Sequence, residues 1–400
     1  MATKNLTLME NISMFERIEW PQFGDEERSA LLAALSSGKW WRNEGEFVAA
    51  FERKFADFEG AARMLALTNG THALELALMT SEVPHGAGVV VPALTFFSSL
   101  SSIQRHRAYP VIADVDLDTW TLVSTWSEIT CEVPLRAMMP VHYGGVPADM
   151  TTLQSQAKER GIFIIQDAAH GPGIEVRGQM LPRFDGLVCY SFQHSKLLPG
   201  GEGGAIAFSD ESLYQRALLL HNCGRSLDST GYEHREIASN FRMTEFVAAI
   251  LIQQLARLPL LADKRRANAD LFRARLNAIP GLAVQRSPSI PCRDTNYLIQ
   301  VRLTAAGARV QHRDRLVKIL LEKGLPINRV YPPLFELEAY WKWSEPSRTI
   351  DDLKARCPNA VLIGETGFCF HHRILLSDPG VIEKMADAIA LAVSKVLETR

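Results

Sequence analysis

Residues 191–208 read SFQHSKLLPGGEGGAIAF and place one lysine, Lys196, between Ser191 and the glycines that run from Gly200 to Gly204. A serine hydroxyl can donate to a phosphate, and a lysine can form a Schiff base with a carbonyl group. Glycines let the backbone approach a ligand closely. A lysine exposed on the surface needs no such neighbours. The stretch therefore predicts a loop that closes over a phosphorylated cofactor.

Through the first two-thirds of the chain, short apolar runs alternate with helical patterns. The strand-like runs are GVVVPAL, YPVIADV, RAMMPVH, GIFIIQDAA and LVCYSF, and the helical segments include HALELALMTSE and MTTLQSQAKERG. The runs are too continuous for strands with one exposed face, so they predict a mostly parallel central sheet flanked by helices. In such an α/β fold the ligand lies beyond the carboxyl ends of the strands.

The pattern changes to long helices from about Met243, and Pro259 is expected to kink or divide them. The later runs GLAVQRS, NYLIQVRL and LPINRVYPP predict strands among helices. We expect a large domain at 45–250 and a smaller α+β domain at 251–400. The N-terminal segment 1–44 is expected to join the smaller domain.

The composition is typical of a soluble cytoplasmic enzyme. Hydrophobic residues make up 47% of the 400 residues and the net charge is −2, with both signs dispersed, so neither a nucleic acid nor a membrane is an expected partner. The first residues contain no continuous apolar core, which argues against a signal peptide. The six cysteines lack CxxC spacing and histidine partners, so no metal site is expected.

Two motifs after predicted strands favour binding of a phosphorylated aromatic group. In LTNGTHALELAL, Gly70 and Thr71 precede a helix expected to start near His72. Free N–H groups at that helix end and the threonine hydroxyl would hold a phosphate. Thr71 would otherwise be a simple N-cap. In VPALTFF, Phe96 would either stack on an aromatic ring or belong to the core.

The motif IIQDAAHG adds a carboxylate and an imidazole at another strand end. Asp167 ends an apolar run, where an unpaired carboxylate is costly, so it requires a cationic partner, a helix-capping role or a structural ion pair. His170, three residues later, would support that carboxylate or be a structural histidine.

Together these features meet the requirements of pyridoxal phosphate. An aspartate facing the pyridine nitrogen, a lysine for the Schiff base, a stacking aromatic ring and a phosphate cup are what this cofactor needs. The released Lys196 would then move a proton during the reaction. A nicotinamide cofactor is disfavoured because no GxGxxG follows the first strand.

The order Gly-Thr, Thr-Phe, Asp-Ala-Ala-His and Ser-Phe-x-x-x-Lys, followed by Gly-Glu-Gly-Gly, resembles the DegT/DnrJ/EryC1/StrS aminotransferases, a fold-type I pyridoxal-phosphate family. The resemblance runs from about Trp20 to Leu376. It implies a homodimer in which the two subunits share each active site. The site residues it implies are Gly70, Thr71, Phe96, Asp167, His170, Ser191 and Lys196, with Asn240 of SNFRMTEF reaching the partner subunit's phosphate. Asn240 would otherwise cap the following helix.

Within the family, segments such as SSGKWWRNEGE, HNCGRSLDSTGYEH and HHRILL most resemble the 3-amino-5-hydroxybenzoate (AHBA) synthases. The resemblance implies transfer of an amino group from L-glutamine or L-glutamate to a polyhydroxylated cyclic ketone in secondary-metabolite biosynthesis, with pyridoxamine phosphate as the intermediate form of the cofactor. Dehydration of the product to an aromatic amino acid would use the same lysine. Inososes or nucleotide-linked keto sugars are alternative acceptors. QHS before Lys196 differs from the Asn-Gly typical of the benzoate group.

Three segments are expected to shape the substrate pocket. A tryptophan pair in a loop is costly to expose, and arginine can hold a carboxylate by two hydrogen bonds. The predicted substrate residues are Trp40, Trp41, Arg42, Arg225, His371 and His372. Core packing of the tryptophans and a solvated Arg225 are the alternatives.

Two other function classes fit the sequence less well. In the related pyridoxamine-dependent sugar dehydratases the lysine is replaced by histidine, and Lys196 argues against that reaction. A non-catalytic sensor would have no need of the lysine, the aspartate and the phosphate cup together.

Overall fold

The computed structural model describes residues 19–226, 232–305 and 307–397. The helices are α1 (Asp25–Ser36), α2 (Phe47–Glu59), α3 (Gly70–Thr80), α4 (Phe97–Arg105), α5 (Met150–Arg160), α6 (Glu211–His221), α7 (Glu245–Asn277), α8 (Val310–Glu322), α9 (Ile350–Arg356), α10 (Pro358–Thr366) and α11 (Pro379–Leu397). The strands are β1 (Arg63–Leu67), β2 (Gly88–Pro92), β3 (Tyr109–Ala113), β4 (Leu135–Met138), β5 (Phe163–Asp167), β6 (Glu175–Val176), β7 (Gln179–Met180), β8 (Leu187–Ser191), β9 (Gly204–Phe208), β10 (Leu282–Val284), β11 (Cys292–Arg293), β12 (Leu298–Leu303), β13 (Ile327–Arg329) and β14 (Gly367–His371).

A seven-stranded sheet with the order β1-β9-β8-β5-β4-β2-β3 forms the centre of the fold. The pairs β2–β3, β2–β4, β4–β5 and β5–β8 are parallel, whereas β9 runs antiparallel to both β1 and β8. Strands β2 and β8 are buried along their whole length, as expected for a sheet covered on both faces. The prediction of a mostly parallel α/β sheet is confirmed.

Strand direction brings four chain segments to one edge of this sheet. Strands β2, β5 and β8 run in the same direction, and β1 shares it because β9 is antiparallel to both β1 and β8. The residues that follow β1 and β2, and the last residues of β5 and β8, therefore meet at the carboxyl edge. Ligands bind at this edge in open α/β sheets.

Local sequence signals set the ends of the covering helices. Asp149 caps α5, its Oδ1 accepting from the Thr152 N–H at 3.2 Å. Gly161 follows the helix at φ 61°, in the left-handed region that favours glycine, and confirms the predicted helix stop.

The 33-residue helix α7 connects two hydrophobic clusters. Its first half packs Ala248, Leu251 and Leu258 into the core around the large sheet. Its second half packs Ala269 and Phe272 into a second core. By length and composition α7 is the one described helix that would suffice to cross a membrane, yet its apolar side chains pack in these cores.

Pro259 lies inside α7 without dividing it, and α7 also continues through the predicted boundary at 250/251. The division into two domains therefore stays a proposal. Residues 1–18 of the predicted N-terminal segment and residues 398–400 lie outside the described residues.

The second core lies under a four-stranded antiparallel sheet with the order β10-β12-β14-β13. Helices α8 and α11 cover it with side chains such as Leu316 and Ile389. The short strand β6 pairs with both β7 and β11, so residues near 175 and 292 are joined. The C-terminal third of the chain thus reaches the carboxyl edge of the large sheet.

Candidate active site

A cavity of about 760 Å³ opens at the carboxyl edge of the large sheet. Its wall combines residues from four strand ends with others from the C-terminal third of the chain. Six of the predicted cofactor residues line it, namely Gly70, Thr71, Phe96, Asp167, Ser191 and Lys196. The sequence prediction therefore converges on one place in the fold.

The turn from β1 into α3 forms one side of this cavity. Helix α3 begins at Gly70, and its N-cap is Asn69, whose Oδ1 accepts from the His72 N–H at 2.8 Å. Thr71 is thus not the cap, and its Oγ1 lies 2.7 Å from Ser98 Oγ. This leaves the first N–H groups of the helix and two hydroxyls for an anion.

Gly70 lies against the last residue of β8. A Cβ on Gly70 would lie 2.7 Å from the Ser191 Cβ, a distance that real side chains do not adopt. The absence of a side chain at Gly70 therefore brings the α3 N-terminus and the Ser191 hydroxyl together. A cup of backbone N–H groups and hydroxyls of this kind suits a phosphate.

Asp167 ends β5 as a buried carboxylate. Its Oδ2 accepts from Ser99 Oγ at 2.7 Å and its Oδ1 from the Ala169 N–H at 3.1 Å. Burial raises the pKa of Asp167, while the Ser99 and Ala169 hydrogen bonds and the Lys196 charge oppose that rise. A cationic or N–H donor group in the cavity would stabilise the ionised form.

Lys196 lies in the loop between β8 and β9 and points its ammonium group at an aromatic wall. Its Nζ is 5.0 Å from the centre of the Tyr297 ring. The surrounding protein removes water from the amine and lowers its pKa to about 8, against a weaker opposite effect of Asp167. A larger fraction of Lys196 is therefore neutral, and nucleophilic, than for an ordinary lysine.

His170 lies behind the cavity wall and does not line the cavity. Its Nδ1 accepts from the Gly144 N–H at 3.2 Å, and its ring stacks on Tyr297 with 4.1 Å between centroids. Burial holds the pKa of His170 well below its usual range. A neutral imidazole with Nδ1 as acceptor has its proton on Nε2, which has no partner in the described part of the chain.

Phe96 immediately precedes α4 and leaves 51% of its surface exposed while lining the cavity. Its ring centroid lies 5.7 Å from that of Tyr331. An aromatic side chain exposed at a cavity is available to a planar ligand, whereas a core position is excluded by this exposure.

Asn240 lies outside this cavity and is exposed. Its Oδ1 accepts from the Arg242 N–H at 3.2 Å. The N-cap of α7 is Thr244, so Asn240 does not cap that helix. Its predicted role requires a second subunit.

The tryptophan loop adjoins the same segment. Trp40 and Trp41 are half exposed, and the Arg242 guanidinium carbon lies 5.8 Å from the Trp41 ring centre. Arg42 instead forms a two-point ion pair with Glu52, in which Nη2 and Oε2 are 3.1 Å apart. None of these three residues lines the cavity described above.

The other predicted substrate residues also lie outside the cavity lining. Arg225 donates its backbone N–H to the Asn222 carbonyl at 3.1 Å and lies two residues before the undescribed residues 227–231. His371 ends β14 with its ring 5.3 Å from Tyr297, and burial lowers its pKa to about 4. His372 is fully buried and binds backbone near Lys196.

The structure adds Ser98, Ser99, Tyr297 and Tyr331 to the site. The two serines follow Phe97 in the segment after β2, so their place after a strand end was a usable signal. The tyrosines come from the C-terminal third, and no spacing in the sequence connects them to Lys196. Within residues 19–226, 232–305 and 307–397, no group of three or more His, Cys, Asp or Glu side chains could hold a metal ion.

Comparison with known proteins agrees with this geometry. The sequence model of the DegT/DnrJ/EryC1/StrS aminotransferase family matches residues 22–386. The 3-amino-5-hydroxybenzoate synthase of Amycolatopsis mediterranei (strain S699) is 38% identical, over 94% of this chain and 97% of that protein. The L-glutamine:2-deoxy-scyllo-inosose aminotransferase of Streptomyces kanamyceticus is 31% identical, over 95% of this chain and 93% of that protein.

A crystal structure of 3-amino-5-hydroxybenzoic acid synthase superposes with a TM-score of 0.91 at 38% identity, and the match covers 94% of this chain and 98% of that chain. A match at this level over nearly the full length of both proteins means that the two chains share their whole fold.

Proposed function

Because the chain belongs to the DegT/DnrJ/EryC1/StrS aminotransferase family, we propose that its cavity binds pyridoxal phosphate and serves amino transfer from L-glutamine or L-glutamate to a polyhydroxylated cyclic ketone. The observation that carries the proposal is the convergence of Lys196, Asp167 and the phosphate cup on one cavity. Each of the three comes from a different strand end.

The residues present fit this cofactor. Only a glycine is tolerated at position 70 beside Ser191, which keeps the α3 N-terminus and the Ser191 hydroxyl together as a cup for a phosphate. Asp167 is buried with a raised pKa, so a cationic ring nitrogen would relieve the cost of its charge. Lys196 has a pKa lowered to about 8 and lines the same cavity.

Bound pyridoxal phosphate supplies an electron-accepting ring that makes a proton on the substrate α-carbon acidic. The chain would contribute binding and proton transfer. Gly70, Thr71 and Ser191 would bind the phosphate, and Phe96 would cover one ring face. The Asp167 carboxylate would keep the pyridine nitrogen protonated.

Lys196 Nζ is the group that takes and returns the substrate proton. A general base works best when its pKa lies near the working pH, and a pKa of about 8 meets that condition better than the usual 10.5. The same Nζ attaches the cofactor between turnovers.

Two classes of ketone are candidates for the acceptor substrate. Similarity to a 3-amino-5-hydroxybenzoate synthase over 94% of the chain favours an aminoshikimate-type ring, with dehydration to an aromatic amino acid as a further step. Similarity to a scyllo-inosose aminotransferase over 95% of the chain supports a cyclitol ketone as the second candidate. Both are polyhydroxylated six-membered rings.

We also propose a homodimer in the cytoplasm with shared active sites. Trp40 and Trp41 are exposed aromatic residues beside the segment of Asn240 and Arg242. Adjacent exposed apolar residues are typical of a protein–protein interface when they form a contiguous patch. A partner at this face would bring its Asn240 toward the phosphate cup.

Absorption spectroscopy tests the cofactor and the donor. Purified protein titrated with pyridoxal phosphate should develop the visible band of lysine-bound cofactor, and L-glutamine or L-glutamate should convert this band to that of pyridoxamine phosphate. Lys196→Ala should bind the cofactor without the visible band. A wild-type protein without that band would refute the role of Lys196, and a band insensitive to both donors would refute the choice of donor.

A ketone screen then distinguishes the two acceptors. Protein first converted with donor is mixed with an aminoshikimate-type ketone or with an inosose, and return of the visible band reports amino transfer. Release of an aromatic amino acid, read by its ultraviolet absorbance, would mark the dehydrating reaction. Turnover of the inosose alone would favour the cyclitol function.

A further inference from the structure

The loop that carries Lys196 is bonded from outside by two distant parts of the chain. The Trp20 indole Nε1 donates to the His194 carbonyl at 3.1 Å. His372 Nε2 lies 3.0 Å from the Ser195 carbonyl. The two carbonyl groups directly before Lys196 are therefore each bound by a side chain from another element.

Arg265 fixes which nitrogen of His372 carries the proton. The Arg265 Nε donates to His372 Nδ1 at 3.2 Å, so Nδ1 must be the acceptor and Nε2 carries the hydrogen. Among the described residues, the hydrogen-bond partner of Nε2 is the Ser195 carbonyl. Burial keeps the pKa of His372 well below its usual range, with the Arg265 charge acting in the same direction, which favours the neutral imidazole that this arrangement requires.

Trp20 also packs against the other two side chains. Its ring meets the His372 ring edge-on with 4.6 Å between centroids, and the Arg265 guanidinium carbon lies 5.0 Å from the Trp20 ring centre. Arg265 is fully buried without a carboxylate partner among the described residues, and its Nη1 and Nη2 are unpaired there. The aromatic face stabilises its charge.

We propose that Trp20, Arg265 and His372 form a lysine-loop clamp, which holds the His194 and Ser195 carbonyls and thereby positions Lys196 in the cavity. The proposal rests on the proposed function for the role of Lys196 itself. His372 is then a positioning residue that acts through Ser195. It has no free ring nitrogen with which to bind a substrate hydroxyl.

The clamp connects the lysine loop to distant parts of the chain, which the loop's own hydrogen bonds do not do. The loop has internal hydrogen bonds, such as Lys196 N–H to the Gln193 carbonyl at 2.8 Å and Gly200 N–H to the Phe192 carbonyl at 2.7 Å. These bonds define its shape but do not fix it relative to Tyr297 and the cavity. Among the described residues, hydrogen bonds with Trp20, His372 and the Tyr297 hydroxyl, 3.2 Å from Ser195 Oγ, connect residues 194 and 195 to distant parts of the chain, while Leu197 and Leu198 pack in the core.

The test uses the apoprotein and the variants His372→Phe and His372→Gln. Phe keeps a planar ring but removes the donor to Ser195, whereas Gln restores a donor. Loop amides of residues 193–196 should exchange hydrogen about fivefold or more faster in His372→Phe, and acetic anhydride should label Lys196 faster. The visible band of cofactor bound at Lys196 should weaken in parallel. His372→Gln should recover most of each change.

Asn268→Leu is the matched control. Asn268 lies on the same helix as Arg265 and binds the Leu375 and Ser377 carbonyls, at 2.8 and 2.9 Å, without touching the lysine loop. It should lower the melting temperature yet leave loop exchange and Lys196 labelling unchanged. Equal loop effects in His372→Phe and Asn268→Leu would overturn the clamp, since the change would then reflect lost stability alone.

Arg265→Met keeps the proposal testable if His372→Phe does not fold. Removing an unpaired buried charge is tolerated better than removing one partner of a pair. Without the Nε donor, His372 can place its proton on Nδ1, and loop exchange should rise less than in His372→Phe but clearly above wild type. Wild-type exchange rates in Arg265→Met would refute the clamp. Because these readouts need no turnover, they stay informative even if the aminotransferase test fails.

Discussion

Lys196 is enclosed at the cavity, and enclosing its charged amine destabilises the folded apoprotein. Its pKa falls from 10.5 to about 8 on folding because water is removed from the amine. Between these two values the unfolded chain binds more protons than the folded one, so stability rises with pH across this window. Below about pH 8 the folded protein carries the full cost of the enclosed charge.

Replacing this lysine should therefore stabilise the apoprotein at neutral pH. Lys196→Met is expected to raise the free energy of unfolding at pH 7 by on the order of 2 kcal/mol, because it removes the cost of enclosing the charged amine in the folded protein. The gain should shrink as pH rises through 8 toward 10.5. Urea unfolding at pH 7 and pH 10 measures it. A variant less stable than wild type at pH 7 would contradict the assigned pKa.

Ser99 tunes the buried carboxylate of Asp167, which we propose to face the cofactor ring. Its hydroxyl bonds Asp167 Oδ2 at 2.7 Å and opposes the rise in pKa that burial causes. In Ser99→Ala the pKa of Asp167 should rise further, so the acidic limb of the kcat/KM profile should move to higher pH. Affinity for pyridoxal phosphate should fall about tenfold or more, since hydrogen bonds to charged groups contribute about 1.5–3 kcal/mol.

Ser102→Ala is the control for that substitution. Ser102 lies one turn further along α4 and is buried, and its hydroxyl donates to the Ser99 carbonyl at 3.1 Å. The pH profile of kcat/KM and the cofactor affinity of Ser102→Ala should match those of the wild type. An unshifted acidic limb in Ser99→Ala, with Ser102→Ala normal, would show that Asp167 does not depend on this hydroxyl.

The sequence does not single out Ser99, for a physical reason. The segment FFSSLSSIQR offers four serines, and only the rotation of α4 against β5 decides which of them reaches Asp167. Asp167 stands out in the sequence because a carboxylate at the end of an apolar run is costly, and Lys196 because it lies between a serine and a glycine run; both line the cavity. A neutral hydroxyl in a helix has no such cost.

At the scale of elements, the contact between α3 and β8 depends on Gly70. Gly70→Ala would place a Cβ 2.7 Å from Ser191 and force the α3 N-terminus away from the strand end. We expect a loss of about 1–3 kcal/mol in unfolding free energy and at least a tenfold loss of cofactor affinity. Denaturant unfolding and a spectroscopic titration measure the two effects separately.

Gly380→Ala is the comparison, because Gly380 also lies in the first turn of a helix, α11, with no atom within 4 Å of its added Cβ. It should be neutral or stabilise by up to about 1 kcal/mol, since alanine favours helix. Equal losses of unfolding free energy in both variants would show that helix propensity, and not the contact with Ser191, causes the effect at Gly70.

Apolar runs and helix stops predicted the parallel part of the sheet, whereas β1 and β9 do not follow from them. Each has five residues, and β9 begins within the glycine run that favours a loop. Their pairing also depends on a contact far along the chain, since a Cβ on Gly204 would lie 2.4 Å from Asn69 backbone. The need for a glycine at position 204 cannot be read from the sequence of either segment alone, because it depends on how the two segments pack.

At the scale of the whole molecule, exposed apolar residues predict a second subunit. Ile237 is 98% exposed close to Asn240, beside the segment that contacts Trp41. Sedimentation should give twice the mass of the chain, and Ile237→Asp should shift the protein toward monomers with weaker cofactor binding. Leu391→Asp, at an exposed site on α11, should remain dimeric. A monomeric wild type with full activity would exclude a shared site.

The contacts made by Trp20, Tyr297 and His372 also have a consequence for synthesis on the ribosome. The lysine loop is translated before Tyr297 and His372, two of the three residues that hold it. A nascent chain that has already folded its large sheet would still lack a fixed Lys196 until His372 leaves the exit tunnel. The amine of Lys196 should therefore become competent to capture the cofactor only after synthesis has passed His372.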